Sequence, residues 1–555
     1  MTAATSTTTR RLATTAALAA LPLAVLGLFF LLPVAGMVDR GLRPDGVLDP
    51  GAVLEVLTRP RTGRVVWFTL WTATLGTVVA VVLGLPAAYV LHRLRFPGRG
   101  LVRALLLVPF VLPTVVVGVA FDLLLRDGGP LAGLGLAGTP AAIVAGLVFF
   151  NVAVVVRSVG ATWEGLDRRP AEAAAALGAG PWQVWWTVTV PALRPAVVSA
   201  ASVVFLFCAT AFGVVLVIGG VRYASVETEI YLLTANLLDL QAAAALSLVQ
   251  LLAVVALLLV SARLRTTADP TRSRVVAAPR RPARGDLVPV VVTALVLLAV
   301  AAPIAALVVG SLRVDGAWSL ASYRALGADP GDAGGQALLV PVTDALLNSL
   351  RTAVDATWMS VLLGLLVAAV VTRRSRSRAE RRVRSLLDGL FMLPLGVSAV
   401  TLGFGFLVTL GRPPLELRDN PLLVPVAQAL VALPLVVRTL VPVLASVDER
   451  LRQAAASLGA SPARALLAVD LPVLWKPLVG AAGFAFAVSL GEFGATSFLA
   501  RPDHPTVPVV IFRLLGNPGE LNYGMALAAS VVLAATTAGV MLAVERLRVP
   551  SLGAW

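Results

Sequence analysis

Two stretches of the chain follow one spaced pattern: EAAAALGAGPWQVWWTVTVP at residues 172–191 and QAAASLGASPARALLAVDLP at residues 453–472. In each, a run of small residues leads to a glycine, Gly178 or Gly459, and after nine further residues a valine precedes a hydrophobic-proline pair. The copies lie 281 residues apart (453 − 172), each in an Arg-bearing polar stretch between long apolar segments. A polar loop repeated inside a membrane protein indicates a docking surface for a partner with two-fold symmetry.

The residues after each glycine predict a short second helix. Pro181 follows Gly180, and Pro462 follows Ser461; proline is favoured at the first helical position, and Gly or Ser at the cap before it. The glycine of the pattern supplies a sharp reversal that a side chain would hinder. The first copy adds a cluster of tryptophans, Trp182, Trp185 and Trp186. Such residues anchor in the pocket of a partner or lie at lipid headgroups, and both roles stay open.

Composition places the chain in a bilayer. The hydrophobic fraction is 58% and the charged fraction 14%, whereas soluble domains carry about 25% charged residues. A helix of about 20 apolar residues spans the hydrocarbon core, and twelve such runs predict an all-α membrane protein. The runs are at residues 13–37, 65–91, 104–125, 140–162, 195–219, 240–262, 287–311, 345–372, 386–410, 421–445, 478–500 and 523–544.

The net charge of +15 reflects membrane orientation and does not indicate a nucleic-acid partner. When the N-terminus is placed in the cytoplasm, the inner loops hold most of the arginines and the outer segments are slightly acidic. This distribution follows the positive-inside rule. It predicts cytoplasmic N- and C-termini, with both repeated loops on the cytoplasmic side.

The offset between the loops recurs along the chain. It relates Leu112-Pro113 to Leu393-Pro394, Phe212-Gly213 to Phe493-Gly494 and Ile230-Tyr231 to Ile511-Phe512, and upstream an offset of 280 relates Gly84 to Gly364. Each half therefore carries six helices and enters the membrane from the same side, which makes the repeat parallel. We divide the chain into a first half at 1–262 with its loop at 164–194, a cytoplasmic linker at 263–286, and a second half at 287–555 with its loop at 446–476. The linker is rich in Arg and Pro, and we expect it to be disordered.

The residue types argue against catalysis. Lys476 is the only lysine in the sequence, and it lacks the glycine-rich loop that an ATP-binding P-loop requires. His92, His504 and the single cysteine, Cys208, match no metal-ligand spacing or nucleophile motif. The sequence therefore predicts no enzyme activity, no cofactor and no metal, and any ATP hydrolysis is expected on separate subunits.

The repeated pattern resembles the EAA-x3-G-x9-I-x-LP motif of the permease subunits of bacterial ABC importers. The resemblance covers essentially the whole chain, in a fused two-half form, and it implies the type I ABC importer permease fold. In that family the motif forms a coupling helix that docks on the ATP-hydrolysing subunit. Carried over by position, and with Trp182 added from the first copy, the docking residues are Glu172, Ala173, Ala174, Gly178, Trp182, Pro191, Gln453, Ala454, Ala455, Gly459 and Pro472.

The same resemblance implies partners and a location. It implies two copies of an ATP-binding-cassette ATPase, an external or lipid-anchored solute-binding protein, and a multi-pass position in a bacterial inner (plasma) membrane. Gln453 stands where the family has glutamate, and the second copy lacks the tryptophans. We therefore expect the two docking contacts to be unequal.

Five further segments resemble the fused permeases of the thiamine and iron(III) branch: RFPGR at 95–99, VFFN at 148–151, FCATAFGVVLVIGG at 207–220, ETEIY at 227–231 and SLGEFGAT at 489–496. They favour thiamine or its phosphates as the solute, with an iron(III) importer as the alternative. An ion-coupled secondary transporter is the alternative from another class, since it too can have twelve helices in two parallel halves. Such a carrier has no need for two matched loops.

Glu492 and Asn151 are the candidates for the substrate path. An ionisable residue within a membrane helix usually faces a cavity or a partner. Glu492 also breaks the repeat, since its counterpart is Ala211, and its carboxylate would favour a cationic solute such as thiamine. The alternatives are pairing with an arginine or reaching the outer surface for Glu492, and a hydrogen bond between helices for Asn151.

Overall fold

The computed structural model describes residues 18–43, 46–264, 279–328, 338–372, 378–411, 413 and 415–547. Their regular structure is helical except for one hairpin of two short strands, β1 (Arg313–Val314) and β2 (Ala317–Trp318). Among these residues the helices of the first half are α1 (Leu18–Leu42), α2 (Pro50–Thr58), α3 (Pro60–Arg93), α4 (Arg99–Val111), α5 (Thr114–Leu125), α6 (Pro140–Glu164), α7 (Arg169–Ala176), α8 (Pro181–Val184), α9 (Val190–Ala209), α10 (Gly213–Gly219), α11 (Val226–Ala235) and α12 (Leu240–Leu264).

The second half repeats this order. Over the same described ranges its helices are α13 (Leu287–Ser311), α14 (Ala321–Ala325), α15 (Val342–Thr372), α16 (Arg378–Met392), α17 (Ala399–Thr409), α18 (Leu423–Ser446), α19 (Glu449–Ser457), α20 (Pro462–Ala465), α21 (Leu471–Leu490), α22 (Thr496–Leu499), α23 (Val507–Gly516) and α24 (Glu520–Leu547). The predicted all-α membrane architecture with two parallel repeats is confirmed.

The number of straight spans is smaller than the number of apolar runs. In the described part of the chain ten helices are long and apolar enough to cross a membrane, or eleven if α4 and α5, which meet at 103°, form one broken span. The run at 104–125 is interrupted before Pro113, and the run at 386–410 is divided by a 3-10 turn that contains the equivalent Pro394. Proline causes both interruptions because it donates no backbone hydrogen bond and disfavours helix at the residue before it.

The same close helix contact occurs in both halves. A Cβ atom added to Gly84 of α3 would lie 2.7 Å from Cβ of Val155 on α6, and one added to Gly364 of α15 would lie 2.6 Å from Cγ1 of Val436 on α18. Both members of each pair are equivalent in the repeat. Glycine is required at these positions because it lets two membrane helices approach closely.

The first helix of each half packs on the other half. α1 lies against α12 and crosses to α17, where a Cβ atom added to Gly36 would lie 2.5 Å from the Thr409 hydroxyl oxygen. α13 in turn packs against α3 and α5, with Gly310 facing Leu123. The halves are therefore joined by exchanged helices as well as by the linker.

The end of the linker is held against the first half. The amide of Arg95 donates to the carbonyl of Arg280 at 2.7 Å. The guanidinium of Arg280 donates to both carboxylate oxygens of Asp286, at 2.7 and 2.8 Å, and Asp286 also accepts from the Tyr89 hydroxyl at 2.8 Å. The prediction of a disordered connector is wrong for 279–286, because these bonds fix it beside the end of α3; most of the remaining linker lies outside the described residues.

We expect Arg280→Ala to lower the stability of the protein in detergent by about 1–2 kcal/mol, because Asp286 would lose its charged partner. The Arg280 side chain is 43% exposed, which screens the pair and limits the loss. Thermal unfolding measures the effect, with the exposed neighbour Arg281→Ala as the matched control. Equal melting temperatures for the two variants would contradict the assigned role of Arg280.

Candidate functional site

The first predicted loop has a well-defined cap at the end of α7. The amide of Gly178 donates to the carbonyl of Ala175 at 3.0 Å, and the amide of Ala179 donates to the carbonyl of Ala174 at 3.0 Å. Gly178 has a φ of +89°. This is the Schellman arrangement, in which a glycine in the left-handed conformation satisfies the last carbonyls of a helix.

The second loop repeats this cap at the end of α19. The amide of Gly459 donates to the carbonyl of Ala456 at 3.0 Å, and that of Ala460 donates to the carbonyl of Ala455 at 2.9 Å. The φ of Gly459 is +80°. A Cβ atom added to Gly178 or Gly459 would meet no heavy atom within 4 Å. Backbone conformation, and not lack of space, therefore requires glycine at both positions.

The helix after each glycine begins at the predicted proline but does not end as a separate short helix. α8 begins at Pro181 and α20 at Pro462, and each continues through a π-turn into the membrane helix α9 or α21. The second residue of each membrane helix is a proline, Pro191 or Pro472. Because proline cannot donate to the carbonyl four residues earlier, the wider turn lets the helix continue. Each loop is thus continuous with a membrane helix.

Both loops present apolar side chains at the surface. Leu177 and its equivalent Leu458 are 90% and 88% exposed, and Trp182 is 71% exposed with its ring edge-on to Trp186, centroids 5.7 Å apart. Large exposed apolar groups on a polar loop are typical of a surface that another protein covers. The predicted docking residues show matching exposure in the two copies, exposed at Glu172, Ala173, Gly178, Pro191, Gln453, Ala454, Gly459 and Pro472 and half-buried at Ala174 and Ala455.

The base of the first loop is braced by an aromatic contact. The ring of Trp185 lies 5.5 Å from that of Trp163 at the end of α6. Trp185 is therefore separated from the exposed pair formed by Trp182 and Trp186. Trp182 and Trp186, four residues apart, lie together on the exposed face of this helix, whereas the ring of Trp185 packs against α6.

The base of the second loop is braced by charge. Nε of Arg452 donates to Asp470 at 2.9 Å, Nη1 donates to Glu449 at 3.2 Å, and Nη2 donates to the carbonyl of Leu444 at 3.5 Å. Leu444 is the equivalent of Trp163, so the two braces reach the same point of the fold. The loops therefore share their caps but differ in how they are attached to the membrane helices.

Two buried carboxylates on α11, Glu227 and Glu229, have contacts that the apolar pattern does not reveal. Glu229 accepts two hydrogen bonds from Arg61, at 2.5 and 2.9 Å. Glu227 accepts from the amide of Gln250 and, at 2.8 Å, from the hydroxyl of Ser398 in the second half. The buried Glu227 therefore links the two halves through its hydrogen bond to Ser398.

The available sequence signal for these acids was a break in the repeat. The equivalents of Glu227 and Glu229 are Pro508 and Val510. The two acidic residues of the segment ETEIY are replaced by apolar residues in the second half. An acid that one half has and the other lacks is a candidate for a specific contact.

Glu492 was predicted to lie within a membrane helix. That prediction is wrong, because the residue lies in the break between α21 and α22. Its side chain is buried, and its carboxylate oxygens accept from the amides of Ala495 at 2.7 Å and Thr496 at 3.0 Å. These amides begin a new helix and therefore have no helical carbonyl to bond. The carboxylate of Glu492 accepts their hydrogen bonds instead, as the side chain of a capping residue does. In the described contacts Glu492 pairs with no arginine, so the contacts differ from both sequence-based alternatives.

Asn151 joins two helices of the first half. Its side-chain amide donates to the carbonyl of Leu147 at 2.9 Å and to Sγ of Cys208 on α9 at 3.4 Å. The side chain is buried. This contact is the interhelical hydrogen bond that the sequence left open as the alternative to a position on the path.

Comparison with known proteins adds the family. The family model of the binding-protein-dependent transport system inner membrane component matches the chain twice, at residues 80–274 and 360–548. The chain is 29% identical over 471 residues to the thiamine transport system permease protein ThiP of Brucella abortus (strain 2308), which covers 82% of each sequence. It is 28% identical over 473 residues to ThiP of Escherichia coli (strain K12), covering 82% of this chain and 84% of that protein.

A shorter similarity concerns part of the chain. Over 159 residues the chain is 38% identical to the molybdenum transport system permease protein ModB of Azotobacter vinelandii, which covers 27% of this chain and 70% of ModB. The two regions matched by the family model include both capped loops and more than half of the chain. This family match excludes the alternative of an ion-coupled secondary transporter. The chain belongs to the family of binding-protein-dependent transport system inner membrane components, as a multi-pass permease with two fused halves and not as an enzyme.

Proposed function

We propose that this chain is the permease of an ATP-driven importer that moves thiamine or a thiamine phosphate across the inner membrane. The observation that carries the proposal is the similarity to ThiP, which extends over 82% of the chain and includes both halves. The similarity to ModB covers 27% of the chain. An iron(III) importer of the same fold is the alternative that the uptake experiment separates.

The two loops support a specific set of partners. We assign one copy of an ATP-binding-cassette ATPase to each loop, since both loops have the same glycine cap and an exposed leucine at the tip, Leu177 or Leu458. The solute arrives from an external or lipid-anchored binding protein on the opposite side. In this arrangement the loops and both termini are cytoplasmic, in agreement with the positive-inside rule.

The continuity of each loop with a membrane helix supports a mechanical role. When an ATPase subunit pulls on the first loop, the displacement passes through Trp185–Thr189 into α9; the second loop acts through Leu466–Asp470 on α21. A helix with paired backbone groups transmits such a displacement better than a flexible connection. ATP hydrolysis on the partner subunits is thereby coupled to the membrane helices without any catalytic group in this chain.

The two path candidates have structural roles within this proposal. Glu492 caps the backbone where α21 is interrupted, and Asn151 fixes α6 to α9. Both side chains are buried. We infer that they shape the walls of the path and do not contact the solute in this conformation.

Uptake into proteoliposomes tests the proposed function. The proteoliposomes contain the permease and its ATPase, and the solute-binding protein is added on the opposite side of the membrane from the loops. Labelled thiamine is expected to accumulate only when ATP is present on the side of the loops. Omission of the binding protein is the control, because a permease of this family depends on it. ATP-dependent uptake of ferric ion without uptake of thiamine would overturn the proposed substrate and leave the importer assignment intact.

Gly178→Val tests the docking role of the first loop. A residue other than glycine in the left-handed conformation costs about 1–2 kcal/mol, so the cap is expected to rearrange and the ATPase to be lost from the purified complex. Gly178→Asn is the matched control, because asparagine tolerates the left-handed conformation better than valine does and a Cβ atom at this position meets no heavy atom within 4 Å. Normal co-purification and normal stimulated ATPase activity of Gly178→Val would contradict docking at this loop.

Glu492→Gln separates a capping role from direct contact with the solute. Glutamine keeps one acceptor oxygen but replaces the other with a donor, so we expect a loss of about 1–3 kcal/mol in stability and unchanged uptake per folded molecule. The exposed Glu520→Gln is the control. Unchanged thermal unfolding together with reduced uptake would instead place Glu492 in contact with the solute.

A further inference from the structure

Two phenylalanines at equivalent positions of the repeat touch each other. Phe212 and Phe493 are 281 residues apart (493 − 212), and their rings stack with centroids 5.1 Å apart and planes 19° apart. Equivalent residues of two parallel halves meet only near the pseudo-two-fold axis that relates the halves. The stacked pair therefore marks this axis.

A second equivalent pair lies beside the first. The rings of Tyr231 and Phe512 are 6.2 Å apart and nearly perpendicular. Phe212 lies 5.4 Å from Tyr231, and Phe493 lies 5.5 Å from Phe512. Each of these four side chains contacts two of the others, and each half contributes two rings. We call this group the axial cluster.

The axial cluster lies at the far ends of the helices that continue from the loops. α9 ends at Ala209 and α21 at Leu490, and in each case the phenylalanine follows three residues later, outside any helix. Phe212 and Phe493 are buried, whereas Tyr231 and Phe512 are partly exposed. A displacement of either loop is therefore carried along one helix to one of the two stacked rings.

Aromatic surfaces also meet across the halves nearer the loops. Phe110 on α4 lies 5.9 Å from Phe484 on α21. Phe110 also contacts Phe150 and Phe207, at 5.6 and 6.2 Å. All four of these rings are partly exposed. Aromatic side chains are thus also available on the loop side of the level at which Phe212 and Phe493 meet.

We propose that the axial cluster is the gate that closes the translocation path on the side away from the loops, and that it selects planar aromatic cations. This inference rests on the proposed transport function. The path between two parallel halves follows their axis, which Phe212 and Phe493 occupy in this conformation. Aromatic faces stack on planar rings and attract cations, and the pyrimidine and thiazolium rings of thiamine offer both properties.

Cross-linking of the cluster tests the gate in the complete importer. Cys208 is the only cysteine, so a C208S permease, in which the serine hydroxyl can still accept the hydrogen bond from Asn151, provides a background for the pair F212C and F493C. Oxidation with copper phenanthroline or a short bifunctional thiol reagent is expected to abolish thiamine uptake, and reduction is expected to restore it. F68C with Y223C is the matched control, because these rings stack in the same way, at 5.8 Å and 23°, within one half; its cross-linking is expected to leave uptake unchanged.

Two further measurements keep the test decisive if the cross-linked pair folds poorly. The thiol introduced by F493C alone is expected to react slowly with a membrane-impermeant maleimide at rest and faster during ATP turnover, a readout independent of the transported solute. F212L and F493L preserve apolar bulk but remove the ring face, so the KM for thiamine is expected to rise. The buried Phe404 lies within α17, and F404L should leave the KM unchanged.

The outcomes separate the gate from the proposed function. Uptake that persists after complete cross-linking of F212C and F493C, or thiol reactivity that does not change with ATP turnover, would overturn the gate. If the wild-type permease takes up no thiamine but the maleimide reaction of F493C in the C208S background responds to ATP, the proposed substrate fails and the gate stands. An unchanged KM in F212L and F493L would contradict the selection of aromatic cations, and only the closing role of the cluster would remain.

Discussion

Backbone groups inside a bilayer have no water to bond, so each interruption of a membrane helix must supply other partners for them. Here side chains supply several of these partners. The amide of Val226 donates to the Thr69 hydroxyl at 2.9 Å, and the equivalent amide of Val507 donates to the Ser349 hydroxyl at 2.8 Å. Glu492 serves the amides after α21. The bonds to Glu492 permit the break at which Phe493 meets Phe212. Because an aromatic pair contributes about 0.5–1.5 kcal/mol beyond its burial, the contact between the halves can be both specific and reversible.

The two halves preserve backbone geometry more strictly than side-chain chemistry. Both loops end their first helix with a glycine of positive φ, and both use a close glycine-valine contact between equivalent membrane helices. The attachment of the loops differs, with Trp185 on Trp163 in one half and Arg452 on Asp470 in the other. The ion pair is weakened by salt, whereas the aromatic contact is not. The two loops therefore share one backbone shape, which either chemistry can hold.

The sequence predicts the repeat, the helical class and the loop caps because each depends on local pattern: hydropathy, a fixed offset, and glycine or proline at defined positions. It does not predict where apolar runs break without proline, as after Ala209, since hydropathy averages over the interruption. The roles of Glu492 and Glu227 were missed for a related reason. An acid in an apolar segment signals a partner, but only the three-dimensional structure shows whether that partner is a solute, a backbone amide or, as for Glu227, a serine of the other half.

The exchange of first helices also has a consequence for synthesis in the membrane. α1 is synthesised well before α17, one of its contact surfaces, which is made only after the rest of the first half and the linker. Until then α1 is in contact with lipid on that side. α13 meets the opposite situation, because α3 and α5 are already present when it is inserted. Contacts between residues distant in sequence form late, so α1 reaches its final packing only after α17 has been inserted.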